Sequence, residues 1–218
     1  MNPNIVYEDS NIIICNKPAG IASQSERGFE PDLLGQVKEY RAIRGDKGDT
    51  YIINRLDKPV GGLVLFALNK KTAASLSAMS GSHSIEKQYY AVVKGIIEDK
   101  GEYTDYLVKD SKVNMSHVDN SRPEGAKKAS LSYESVKTRE IDGQIYSLVR
   151  VRLHTGRHHQ IRVQMAFHGH PIYGDIKYNP DFSGKRGIFP KLFAYRLSFN
   201  NPSGSDRITV ETEPEWNI

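Results

Sequence analysis

Cysteine is almost absent from these 218 residues; Cys15 stands alone. That excludes an intramolecular disulfide and suits a cytoplasmic chain. Cys15 sits beside the Ile12-Ile13-Ile14 run and reads as a small core residue, not a nucleophile. Long apolar runs are missing too: the longest, such as residues 63–68, fall far short of a membrane helix. The first residues, Met1-Asn2-Pro3-Asn4, lead into an acidic turn at Glu8-Asp9, so no secretory signal is expected. Internal repeats, heptads, Gly-rich phosphate loops and dinucleotide fingerprints are absent as well. No charge of one sign dominates. Thirty Lys and Arg face 26 acids, a net +4, so charge alone does not establish nucleic-acid binding. With 38% hydrophobic and 26% charged residues the composition is that of an ordinary globular protein, and one domain over residues 1–218 is the simplest expectation.

What is present reads as strand-dominated with two or three helices. Residues 5–7 and 12–16 flank a Glu8-Asp9-Ser10-Asn11 turn, a hairpin signal. Residues 31–40 read as a helix, with Pro31 in the first turn and Leu33, Val37 and Tyr40 on one side. A polar loop spans 41–49, and a second helix fits 70–79, begun near Asn69 and stopped by Ser80-Gly81. A strand is expected at 88–94, and 98–128 is weakly patterned, a long polar excursion with short strands. Residues 131–138 and 146–153 alternate around Ile141-Asp142-Gly143-Gln144, a second hairpin. A helix over 157–168, a Gly/Pro-rich loop through 187 and strands at 192–199 and 207–212 complete the chain. The pattern is α+β with hairpin-linked strands, lacking the regular alternation of a parallel sheet.

Two stretches carry chemistry. The first is Ile53-Asn54-Arg55-Leu56-Asp57-Lys58-Pro59-Val60-Gly61-Gly62-Leu63-Val64-Leu65-Phe66-Ala67. If residues 52–57 are extended, Arg55 and Asp57 share one face while Leu56 points the other way. Pro59 ends that run, Gly61-Gly62 turns the chain, and 63–68 reads as a buried strand. A carboxylate at a strand end beside a cation suits a nucleophile or base; the alternative is a loop ion pair capping a hairpin. The second stretch, residues 153–175, opens Leu-His-Thr-Gly-Arg-His-His-Gln-Ile-Arg-Val-Gln-Met and closes on Gly-His-Pro-Ile-Tyr-Gly-Asp. Ile161 and Met165 are four apart and would pack inward together, with His158 and Arg162 on a more polar stripe.

Arg-Leu-Asp followed by Gly-Leu-Val-Leu-Phe-Ala, paired with Thr-Gly-Arg-x-His-Gln-Ile-Arg-Val, resembles the RluA family of pseudouridine synthases, which isomerise specific uridines in ribosomal or transfer RNA. The resemblance runs along nearly the whole chain: Asn16-Lys17-Pro18-Ala19-Gly20, then Lys87-Gln88-Tyr89-Tyr90-Ala91-Val92-Val93-Lys94-Gly95, then Gly169-His170-Pro171-Ile172-Tyr173-Gly174-Asp175, and Phe193-Ala194-Tyr195-Arg196-Leu197-Ser198-Phe199. The chain departs from the family pattern at three places. Asn54 stands where a histidine is usual, Val60-Gly61-Gly62 replaces Thr-Ser-Gly, and Gln164 replaces a second histidine.

The resemblance implies a single catalytic domain with a central, largely antiparallel mixed sheet flanked by helices and loops, and an RNA-binding cleft across the sheet. The first matching block begins at residue 16, which leaves no room for an extra N-terminal RNA-binding domain. Asp57 matches the family's essential aspartate, and Arg162 its basic partner, from which a direct pair is expected. A nearby cation would keep that acid ionised. Tyr89 matches the active-site tyrosine, whose ring would stack on the flipped uracil and whose hydroxyl could relay a proton at C5. Arg55 would fill the stack that the uridine vacates, a task its planar guanidinium suits, and Ile161 would wall the pocket.

Basic residues suggest where RNA runs. Arg150, Arg152, Arg157 and Arg162 fall within 13 consecutive positions, and Arg122, Lys127 and Lys128 lie in a polar loop. Arg150, Arg152, Arg157, Lys127 and Lys128 are the expected phosphate contacts; a merely solvated face is the alternative. Five of the seven histidines lie between His154 and His170, without the accompanying ligands of a zinc motif, so neither metal nor cofactor is expected. RNA is the expected partner of a monomer, with substrate choice in loops 41–49, 98–128 and 176–191. Two other readings stay open. One is a non-catalytic RNA-binding relative. The other is a nucleoside or glycoside hydrolase, which would need a second carboxylate.

Overall fold

The computed structural model describes residues 2–25 and 31–216. Its elements run β1 (Ile5–Glu8), β2 (Ile12–Lys17), α1 (Leu33–Ile43), β3 (Tyr51–Ile52), β4 (Gly61–Ala67), α2 (Lys70–Gly81), β5 (Glu86–Lys94), β6 (Lys100–Asp110), β7 (Met115–Val118), β8 (Lys127–Ile141), β9 (Gln144–Leu153), α3 (Gln160–Phe167), a short 3-10 turn (Pro180–Phe182), β10 (Leu192–Asn200) and β11 (Arg207–Glu211). The α+β class stands: a mixed, largely antiparallel set of strands with three helices. The chain packs as two compact units, residues up to 87 with 194–215, and residues 88–193 with Trp216.

In the first unit β2 lies between β1 and β4, β10 neighbours β4, and β11 pairs with β10. Every residue of β4 is buried, as an apolar run covered on both faces must be. Ile12, Ile14, Leu63, Leu65, Leu76, Leu197 and Phe199 form one core. Cys15, on the same strand as Ile12 and Ile14, is fully buried too, and burial pushes its thiol up to about 12. Gly61 and Gly62 begin β4 and do not form a turn; at Gly62, φ +118°, a Cβ would overlap the backbone of Ala194. Both N-terminal helix caps are side-chain oxygens: Asp32 accepts from Gly35 N at 2.6 Å, and Asn69 from Thr72 N at 2.9 Å.

In the second unit the strand order is β5-β9-β8-β6-β7. The β8–β9 hairpin turns at Asp142-Gly143, both at positive φ, as a tight two-residue turn requires. The excursion expected over 98–128 is more ordered than its sequence suggests. It forms the eleven-residue β6, paired along β8, and the short β7. Helix α3 begins at Gln160, three residues later than expected, because His159 is left-handed at φ 54°. Its start is built by Gln160, whose Oε1 accepts from Arg157 N at 2.9 Å and Thr155 Oγ1 at 2.7 Å.

Candidate active site

Asp57 sits in the irregular segment between β3 and β4, since the extended run expected over 52–57 stops as a strand at Ile52. Beyond Ile53, whose N–H still bonds Leu65 O at 2.9 Å, side chains take over the ladder's part. Asn54 acts as a false strand residue: its amide donates to Leu63 O at 3.2 Å and its oxygen accepts from Leu65 N at 2.8 Å. Leu56 is buried, and its N–H and carbonyl both bond the Ser23 hydroxyl. Val60 N closes a turn on Asp57 O at 2.9 Å.

The Lys58 carbonyl accepts from Gly20 N at 2.8 Å and from Lys17 Nζ at 3.3 Å. Lys17 is fully buried, and its ammonium also donates to Pro18 O at 3.0 Å and Ile21 O at 2.7 Å. Its three donors thus meet three carbonyls. Burial lowers its pKa to about 8, against the opposing pull of the Asp57 charge. Asp57 and Arg55 flank a residue that Ser23 holds at both backbone groups, with Arg55 exposed to solvent.

The second unit holds Tyr89 and Arg162. Tyr89 lies on β5, 7% exposed, and Ile161 is buried at 4%. Arg162, on α3, is 3% exposed and forms a bidentate pair with Asp175: Nε to Oδ2 at 2.7 Å and Nη2 to Oδ1 at 2.8 Å. Asp175 was not expected as its partner. The Tyr178 ring lies under the guanidinium, 5.2 Å from centroid to Cζ. The Tyr178 hydroxyl accepts from Ser116 N at 2.8 Å and bonds His159 Nδ1 at 2.8 Å. Gln164, one of the departures, donates to Asp105 Oδ2 at 2.7 Å, and its own Oε1 is buried without a partner.

The basic residues fall into two groups. Arg157 Nε donates to Lys128 O at 2.9 Å, which brings Arg157 beside the Lys127-Lys128 end of β8. Arg150 and Arg152 line a cleft of about 460 Å3 with Gln88, Lys100, Glu102, Ser132 and Glu134. Glu134 bridges Arg150 at 2.8 Å and Lys100 at 3.3 Å, and these two cations hold its carboxyl below the ordinary range. The histidines between 154 and 170 have separate partners: His154 with Ser132, His158 with Ser116, His159 with Tyr178, His168 with Asp105 and His170 with Lys94 O. Ser23 and Tyr178 were not singled out from sequence, while Lys17 and Asp175 stood in blocks that carry the resemblance without a role assigned to either. Lys17 carried a signal, being the one charge in the buried strand Ile12–Lys17.

Comparison with known proteins places this architecture. The solved structure of human RNA pseudouridylate synthase domain containing 1 has the same fold, with a TM-score of 0.82 over 98% of this chain and 84% of that one, at 23% identity. Residues 11–167 match the model of the RNA pseudouridylate synthases. The chain belongs to that family, isomerases that convert uridine in RNA to pseudouridine. A tRNA pseudouridine synthase C of Haemophilus ducreyi is 32% identical across 100% of this chain and 94% of its own length. An uncharacterized RNA pseudouridine synthase of Aquifex aeolicus is 31% identical across 96% of this chain and 69% of its own.

Proposed function

We propose that this enzyme makes pseudouridine in transfer RNA, with Asp57 as its catalytic carboxylate. The reaction breaks the N1–C1′ bond of uridine, turns the base and rejoins C1′ to C5, while the C5 proton leaves to solvent and N1 ends protonated. It conserves the atoms of the base and moves no electrons to a second molecule, so it calls for no redox cofactor. What carries the assignment to Asp57 is the loop around it, held by Lys17, Ser23 and Asn54, since a reacting carboxylate gains from being fixed before substrate arrives. Arg162 serves as its cationic partner, Tyr89 stacks on the flipped uracil and Ile161 packs beside it. Arg55, exposed next to Asp57, fills the vacated stack. Arg150, Arg152, Arg157, Lys127 and Lys128 take phosphates.

The two compact units work as one catalytic domain in this reading, as a monomer in the cytoplasm. Among the described residues no helix is long and apolar enough to cross a membrane. Transfer RNA is favoured over ribosomal RNA by the named activity of the Haemophilus ducreyi relative. Mapping pseudouridines in both RNA classes from cells with and without the gene tests this: a site lost from tRNA supports it, one lost from rRNA overturns the substrate. Tritium release from C5-labelled uridine in RNA tests the chemistry. Free uracil would indicate a hydrolase, and neither product a binder.

A further inference from the structure

We propose that Asp175 is a positioning residue for the isomerisation, acting through Arg162. This rests on the reading above that Arg162 serves the catalytic carboxylate. The pair is 3% and 0% exposed, so two charges have been taken out of water. Such a pair is a poor stability device, because its attraction is largely spent on desolvation and apolar residues of like volume often do as well. What it provides is direction.

Both carboxylate oxygens of the acid are engaged. Oδ1 takes Arg162 Nη2, Lys177 N at 3.0 Å and Tyr178 N at 3.2 Å, while Oδ2 takes Arg162 Nε. The backbone of this turn is fixed in its own right. Asp175 N bonds Ile172 O, Asn179 N bonds Asp175 O, and Gly174 sits at φ +78° where a Cβ would overlap the Phe189 carbonyl. Tyr178, the second of these backbone donors, puts its ring under the guanidinium and its hydroxyl against β7 and His159. The guanidinium is therefore gripped along its Nε–Nη2 edge and supported on one face. Its orientation is thus set by the 175–178 turn and not by the long side chain's own rotamers.

The test is a double-mutant cycle in tritium release, with C5-labelled tRNA from cells lacking the gene as substrate. Arg162→Met should lower kcat. Asp175→Asn should lower kcat by roughly 100-fold with KM within about twofold, the scale of a misplaced group. Asp175→Glu, which restores the charge one methylene further out, should recover part of that loss. In the Arg162→Met background Asp175→Asn should cost no more than about a further twofold, since what it positions is gone. A loss undiminished in that background, or confined to KM, overturns the positioning role and leaves the reading of Arg162 intact. A wild-type kcat for Arg162→Met overturns both. If melting shows Asp175→Asn unfolded, Asp175→Glu takes its place in the same cycle, and a wild-type kcat there overturns the inference.

Discussion

Ser23 holds both backbone groups of Leu56. Its hydroxyl accepts from Leu56 N at 3.0 Å and donates to Leu56 O at 2.9 Å, across 33 residues of sequence. Leu56 separates Arg55 from Asp57, and its side chain is buried at 7% exposure. One serine thus fixes the residue on which both functional neighbours turn.

Ser23→Ala should strand two buried backbone groups, at about 1–3 kcal/mol each. We expect a lower melting temperature and a kcat reduced more than KM is raised, while Ser23→Thr retains most of both. Denaturant melts and tritium release decide it. A destabilised Ser23→Ala enzyme with wild-type kcat would show that the loop keeps Asp57 in place without the serine.

Asp57→Asn should abolish isomerisation and leave RNA affinity close to wild type, because affinity comes mainly from phosphate contacts. Tritium release and filter binding on the same preparation separate the two effects. Retention of even about a tenth of wild-type turnover would remove Asp57 from the catalytic role.

Local chemistry was legible in the sequence where neighbours along the chain decide structure. The apolar run of β4, the Asn69 cap of α2 and the hairpin around Asp142-Gly143 all reappear in the structure. Non-local chemistry was not. The strand β6 hides in a polar stretch because its partner β8 supplies the pairing and its exposed face carries Glu and Lys. Helix α3 starts late because His159 takes a left-handed conformation that no periodicity announces. The Arg162–Asp175 pair is separated by 13 residues and a turn, so nothing in either residue's spacing joins them. Asn54 could be read as a departure from a motif, but not as the amide that completes a ladder for Leu63 and Leu65.

RNA binding should weaken with salt, and the basic residues should share that dependence unequally. Arg157 is tied to the Lys128 carbonyl through Nε, which leaves its charge uncancelled by any acid in that contact. Arg150 already has Glu134 at 2.8 Å, and a phosphate must compete with that carboxylate. Arg157→Gln should reduce the slope of log K against log salt by about 1, with Arg150→Gln changing it less. Equal slopes for both variants would place Glu134 outside the competition, and a flat wild-type curve would mean the clusters are only solvated surface.

Lys17 should make stability and activity move in opposite directions at alkaline pH. Its pKa is near 8 in the folded protein against an ordinary 10.5. Between those values the unfolded chain binds more protons than the native one, so this residue's contribution to stability rises with pH across that window. Activity has the contrary sign. A neutral amine has two N–H groups where the ammonium has three, so one of the three hydrogen bonds to the carbonyls of Pro18, Ile21 and Lys58 is lost. The positive charge that faces Asp57 disappears at the same time. Single-turnover rates at saturating enzyme should therefore fall with a midpoint near 8, while the melting temperature gains a rising component in the same window. Lys17→Met removes both dependences, at the cost of three hydrogen bonds to carbonyls, of which Lys58 O alone keeps a second donor in Gly20 N, so its melting must be measured first. A wild-type rate that stays level from about pH 7 to about pH 10 would show that the enzyme uses neither the charge nor the third hydrogen bond of Lys17.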